Sequence, residues 1–210
     1  MPIKTSDASP RILKGHELTE AQFLKDVAKH TLTVIREDGL YRHLRLRKPS
    51  SNDMYFDIIT WPGYLCYCGD MGSFVFARVP DMFTFFRGRN AEGPLEINPQ
   101  YWSEKVESKD RDGITQYSAE RFKQNVLDHL DDAEASDDVR AAVQESILDF
   151  ADEEHVAMRA IHDFNEDDFH FVDFWETDPT VYTVRFLWCC YALTWAIRLY
   201  DSVAASKAAA

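Results

Sequence analysis

Residues 53–88 read DMYFDIITWPGYLCYCGDMGSFVFARVPDMFTFFRG, and this stretch decides the fold. Met54, Phe56, Ile58 and Thr60 alternate with Tyr55, Asp57, Ile59 and Trp61, the period-two pattern of a strand with two unlike faces. Pro62 has no ladder donor and Gly63 relaxes the backbone, so a turn is expected before a second strand over 64–68. Gly69-Asp70-Met71-Gly72 has the composition of a tight turn, and a third strand follows over 73–79. Pro80 suits a first helical position; Met82, Phe83, Phe85 and Phe86 then mark a short helix that Gly88 ends.

Working outward toward the N-terminus, segments 32–37 and 40–47 alternate around Asp38-Gly39, a strong hairpin signal. Within the second segment Tyr41, His43, Arg45 and Arg47 share one face, while Leu40, Arg42, Leu44 and Leu46 line the other. Thr19 is an N-cap for a short helix carrying Phe23 and Val27 and ending near Lys29. Residues 1–17 show no period and hold two prolines and a glycine, the composition of a flexible arm. Five strands with short connections imply an antiparallel meander.

The run FDIITWPGYLCYCGDMGSFVF, the segment DMFTFFR and the upstream HTLTVIREDGLYRHLRLR together resemble a recurrent, functionally uncharacterised family of phage and prophage proteins. The resemblance covers residues 20 to 125 approximately and carries over no catalytic residue. It implies an origin, not an activity.

Beyond Gly88 the period changes to 3.6. A short helix is expected over 99–107, with Tyr101, Trp102 and Val106 inward, broken by 110–113. Ser118 starts a second through Phe122, Val126, Leu127 and Leu130, and Ser136 caps a third. In the third, Val139, Val143, Ile147 and Phe150 fall within about 80° on a helical wheel, and Asp138, Glu145, Asp149 and Asp152 within about 60° on the other side. Residues 155–164 continue helically, 169–175 form a strand or an irregular aromatic patch, and 181–203 form a closing helix. Its uncharged core, 186–197, lies between Arg185 and Arg198 and is too short to cross a bilayer, which marks it as buried. The expected class is therefore α+β: an N-terminal antiparallel sheet of four or five strands with flanking helices, followed by an acidic helical subdomain. The expected organisation is a flexible arm over 1–17, a sheet domain over 18–115, an acidic helical region over 116–203 packing on it, and a disordered tail over 204–210.

The formal net charge of −13 is unevenly spread. Residues 1–48 carry +4, whereas the window 127–178 holds eighteen carboxylates against only Arg140 and Arg159. Solvated helix faces usually interleave both signs, so this one-sign surface costs self-repulsion and argues for a basic partner, although solubility alone also accounts for charged helix faces.

The residues for other chemistry are sparse. Cys66 and Cys68 share a strand face in a C-x-C spacing, and Cys189-Cys190 diverge on an apolar helix; neither is a usual zinc arrangement, and both read as buried small hydrophobes. Asp163, Asn165 and Asp167 imitate the start of a calcium loop, but Asp168 stands where glycine is required and Phe174 where glutamate is. Asp152 and His155, with His162 beyond, lack the second copy that a di-iron site needs. There is no glycine-rich phosphate cradle, no G-x-S-x-G and no H-E-x-x-H; a Cys66/His43 pair rests on residue type alone. The basic hairpin face of Tyr41, His43, Arg45 and Arg47 is too small, on so acidic a chain, to suggest direct nucleic-acid binding. No metal, cofactor or intrinsic catalysis is expected. The absence of an apolar leader in MPIKTSDASPRILKG and the sparse cysteines point to a reducing cytoplasm, which the phage resemblance implies is that of a bacterial host.

The functional expectation is a phage accessory protein, without membrane association, that inhibits a host or defence-system protein of the CRISPR kind at its basic nucleic-acid-binding surface. Asp131, Asp132, Asp137, Asp138, Glu145, Asp149, Asp152, Glu153 and Glu154 would stand in for phosphates. Trp61, Tyr64 and Asp70 form a secondary candidate surface. The alternatives are a phage enzyme or nucleotide-handling factor with a small-ligand pocket on the aromatic sheet, or a non-catalytic structural adaptor.

Overall fold

The computed structural model describes residues 18–89 and 92–208, so the arm expected over 1–17 lies outside the described residues. In chain order the elements are helix α1 (Glu20–Val27), strands β1 (Thr31–Asp38), β2 (Tyr41–Arg47), β3 (Phe56–Trp61), β4 (Tyr64–Gly69) and β5 (Gly72–Ala77), then helices α2 (Met82–Phe86) and α3 (Pro99–Ser103). Strands β6 (Val106–Lys109) and β7 (Thr115–Tyr117), helices α4 (Ala119–Asp132), α5 (Asp137–Ser146) and α6 (Glu154–Asp163), strand β8 (Thr180–Tyr182) and helix α7 (Val184–Ala208) follow. The class is α+β, with the antiparallel sheet N-terminal and helices flanking it.

The chain divides into two compact units, one of Leu18–Gln116 with Tyr182–Ala210 and one containing Tyr117–Val181. In the first, β1 to β6 form one antiparallel sheet in sequence order. The period-two pattern sets its two faces: Leu44, Leu46, Phe56, Ile58, Leu65, Tyr67, Phe74 and Phe76 are all buried on one side. Helix α7 closes that side, burying Phe186, Trp188, Cys189, Cys190, Leu193 and Ile197, and α1, α2 and α3 pack against it. The aromatic residues of 53–86 and of 186–200 thus meet in one core; Trp188 lies edge-on to Phe23 at 5.1 Å and to Phe56 at 5.4 Å between ring centres.

Four expectations are corrected. The sheet has a sixth strand, β6, because the helix expected over 99–107 ends at Ser103; an edge strand reading VESK, with three polar residues, leaves no alternating hydrophobic signal. The first hairpin turns at Gly39-Leu40, one residue later than expected, with Asp38 paired to Tyr41 and Gly39 at φ +58°. The closing helix belongs to the sheet unit instead of the acidic region, since a helix apolar on all sides needs the sheet's wide apolar face to cover it. Residues 204–208, expected as part of a disordered tail, extend α7, because alanine has the highest helix propensity and the preceding turns are already fixed by packing.

Candidate partner-binding surface

The unit of Tyr117–Val181 is built from three amphipathic helices and an aromatic loop. Ser118 caps α4 by accepting the N–H of Arg121, and Ser136 caps α5 by accepting that of Val139. Their inner faces bury Phe122, Val126, Leu130, Val139, Val143 and Ile147, joined by Ala157 and Ile161 of α6 and by Phe171 and Phe174 of the loop. Leu127 and Phe150, both expected inside, are 39% and 53% exposed.

Phe150 turns outward because the third helix is interrupted. Helix α5 stops at Ser146, whose hydroxyl donates back to the carbonyl of Ala142 at 2.6 Å, and residues 148–150 form a single tight 3-10 turn before α6 begins. The face expected to run unbroken from Asp138 to Asp152 is therefore split. Asp131 and Asp132 end α4, Asp137, Asp138 and Glu145 lie on α5, Asp149 on the 3-10 turn, Asp152 and Glu153 in the following bend, and Glu154 opens α6. All nine are exposed, as are all eighteen carboxylates of the window 127–178.

Neither arginine of that window opposes this charge as a free cation. Arg140 binds Asp131 at 2.8 Å and donates to the carbonyls of Leu130 and Ala135 at 3.0 and 3.1 Å, while Arg159 lies 3.8 Å from Asp163. Asp137 and Asp138 occupy the first turn of α5, where the helix dipole favours them. Tyr117 registers the field: burial, then the charges of Glu154, Asp152 and Glu120, push its phenol up to about 12.

The sequence singled out no apolar residue on this unit's surface, yet Trp175 is 72% exposed and Val172 55%. The signal was present in the run FVDFW, where Phe171 and Phe174 at i and i+3 turn inward and push their neighbours out. His155 and His162 are exposed; Asp167 and Asp168 form a left-handed turn between Glu166 and Phe169; no group of three metal-ligating side chains occurs among the described residues.

In the sheet unit the secondary candidates separate. Trp61 and Tyr64 stack at 5.4 Å across the β3–β4 turn, but Asp70 lies at the far end of β4, where it accepts the N–H of Met54 at 2.9 Å. The basic hairpin face is largely neutralised. Asp57 takes two bonds from Arg45, at 2.8 and 2.7 Å, and one contact from His43 Nε2 at 2.9 Å. Arg42 is clamped by Asp81 at 2.8 and 3.0 Å, over the ring of Phe83. Ile59 of β3 stands between His43 and Cys66 in the register, so these two are not on neighbouring strands. A cleft of about 560 Å³ lies between α7 and the segment after α2, lined by Arg87, Arg89, Thr194, Ile197 and Arg198; it is not on the aromatic sheet face.

No family model, characterised protein or solved structure matches the chain. No helix among the described residues is long and apolar enough to cross a membrane.

Proposed function

We propose that this is a phage-encoded accessory protein that binds a nucleic-acid-binding protein of the bacterial host or its defence systems, of the CRISPR kind, and blocks its basic surface. The observation that carries this reading is the exposure of all eighteen carboxylates on a folded unit whose only two arginines in that window already sit against carboxylates. A groove that neutralises a line of phosphates offers lysine and arginine at spacings that such a surface can satisfy, with release of counterions from both partners. The activity is competition, with no catalysis or cofactor, exerted in the host cytoplasm. The split between α5 and α6 alters the form of the mimic: the carboxylates lie on several short elements, so the surface imitates a charged contour instead of one straight rod.

The test is competition for a partner captured from infected cells. Duplex DNA should displace the protein, and affinity should fall linearly in log–log coordinates with salt. Replacing Asp138, Glu145, Asp149 and Asp152 together by lysine should abolish binding with the circular dichroism spectrum retained. Normal binding and inhibition by that folded variant would reduce the acidic surface to a solubility device.

A further inference from the structure

Val172 and Trp175, three residues apart on the aromatic loop, have no structural duty that explains their exposure. Phe171 and Phe174, 5.4 Å apart between ring centres, are buried in the unit's core, where Phe174 meets Phe122 and Phe171 meets His129. Asp173 between them adopts φ +55°, and the turn is tied by Glu176 N–H to Asp173 O at 3.0 Å and by Thr177 N–H and Oγ1 to Phe174 O at 3.0 and 2.7 Å. The loop is thus pinned from inside, and Trp175 projects from a fixed base. A tryptophan so presented leaves a large apolar area in water, and it loses little conformational freedom when covered.

Its surroundings name the chemistry of what covers it. Glu166, Asp167, Asp168, Asp173, Glu176 and Asp178 lie within ten residues of Trp175 in the chain and are all exposed, with no lysine or arginine between Arg159 and Arg185. Nucleic acid and anionic lipid headgroups are repelled by a segment so rich in exposed carboxylates, and a small cation or polyamine has no apolar body to cover an indole. Charge complementarity and the apolar centre are met together by a basic amphipathic segment of polypeptide, with lysine or arginine on its flanks and leucine-like side chains on one stripe.

We propose that Val172 and Trp175 anchor such a segment of the partner, a binding role that rests on the acidic-surface reading and gives it a hot spot. The anchor selects protein grooves that interleave apolar and basic side chains over surfaces that are merely cationic.

The test uses the full chain and two defined peptides of equal charge, one a leucine–lysine helix with a single apolar stripe and the other an oligolysine. The leucine–lysine peptide should bind about 10-fold tighter or more, in the range of a hot-spot side chain. Trp175→Ala should remove most of that difference, and Val172→Ser part of it, while leaving oligolysine affinity and its salt slope unchanged; both side chains are exposed, so the fold should persist. Its tryptophan emission should shift to the blue with the leucine–lysine peptide alone, and Trp175→Phe should lose that shift. Equal affinity for the two peptides, or a preference that survives Trp175→Ala, overturns the anchor and leaves the acidic-surface reading standing. Failure of both peptides to bind at low salt overturns both readings.

Discussion

Arg140 reaches back from α5 to Asp131 at the end of α4, 2.8 Å from Nη2 to Oδ1, while the same guanidinium donates to the carbonyls of Leu130 and Ala135. One of two cations in the acidic window is thereby committed to closing the exposed end of a helix, where four carbonyls lack intrahelical partners. Arg140→Ala should lower stability by about 1–3 kcal/mol, and Arg140→Lys should recover only part, since a single ammonium nitrogen cannot span acceptors that the guanidinium reaches from Nε and Nη2. Chemical denaturation of the three proteins measures it; an unchanged midpoint for Arg140→Ala would remove this helix-end role.

Asp57 is 6% exposed. Burial opposes its charge, but the bonds from Arg45 and His43 prevail and hold its carboxyl below the ordinary range. The sign follows: a carboxylate with a depressed folded-state pKa adds stability that is fully present above its unfolded value, near pH 4, and is lost as pH falls through the folded value. The stability gap between the native protein and Asp57→Asn should therefore shrink as pH falls below about 4. A gap that widens with acid would contradict the arrangement.

Cys66 and Cys68 stand on one outer face of β4, and the neighbouring Cys68 thiol outweighs burial to bring the Cys66 thiol down to about 7. The same pairing, with burial, raises Cys68, so the pair yields its first proton at Cys66. Alkylation by iodoacetamide, mapped by mass spectrometry, should favour Cys66 at neutral pH and accelerate as pH rises through about 7. Cys68→Ala should move that rise upward by a unit or so in pH. Buried Cys189 and Cys190, whose thiols burial pushes up, should stay unmodified in the folded state.

Gly69 ends β4 opposite Phe56, and a Cβ there would lie 2.1 Å from the carbonyl oxygen of Tyr55 and 2.7 Å from the Cα of Phe56. Both obstacles are backbone of a central strand, so neither can yield without breaking the ladder. Gly69→Ala should cost more than about 2 kcal/mol, whereas Gly63→Asn, at φ +87° with open space around it, should cost less than about 1. Thermal unfolding of both variants separates the steric from the conformational requirement.

The sequence by itself determined strands β1 to β5 and their faces. Within β3, β4 and β5 the side of each side chain follows a period of two and the turns between them carry glycine or proline, and these signals are local enough to survive without knowledge of neighbours. It also determined the sign of the acidic surface, because no fold can bury eighteen carboxylates that have two arginines among them. Only the tertiary structure decided where those charges lie. The break after Ser146 depends on a back-bonded hydroxyl and on packing of Ile147 that no wheel shows, so Asp138 and Asp152 share a wheel face but not a helix. Strand β6 exists because β5 had a free edge to pair, not because VESK favours extension. Trp175 is outside while Phe171 and Phe174 fill the core; the sequence shows only an aromatic patch over 169–175, and the available volume chooses among its rings.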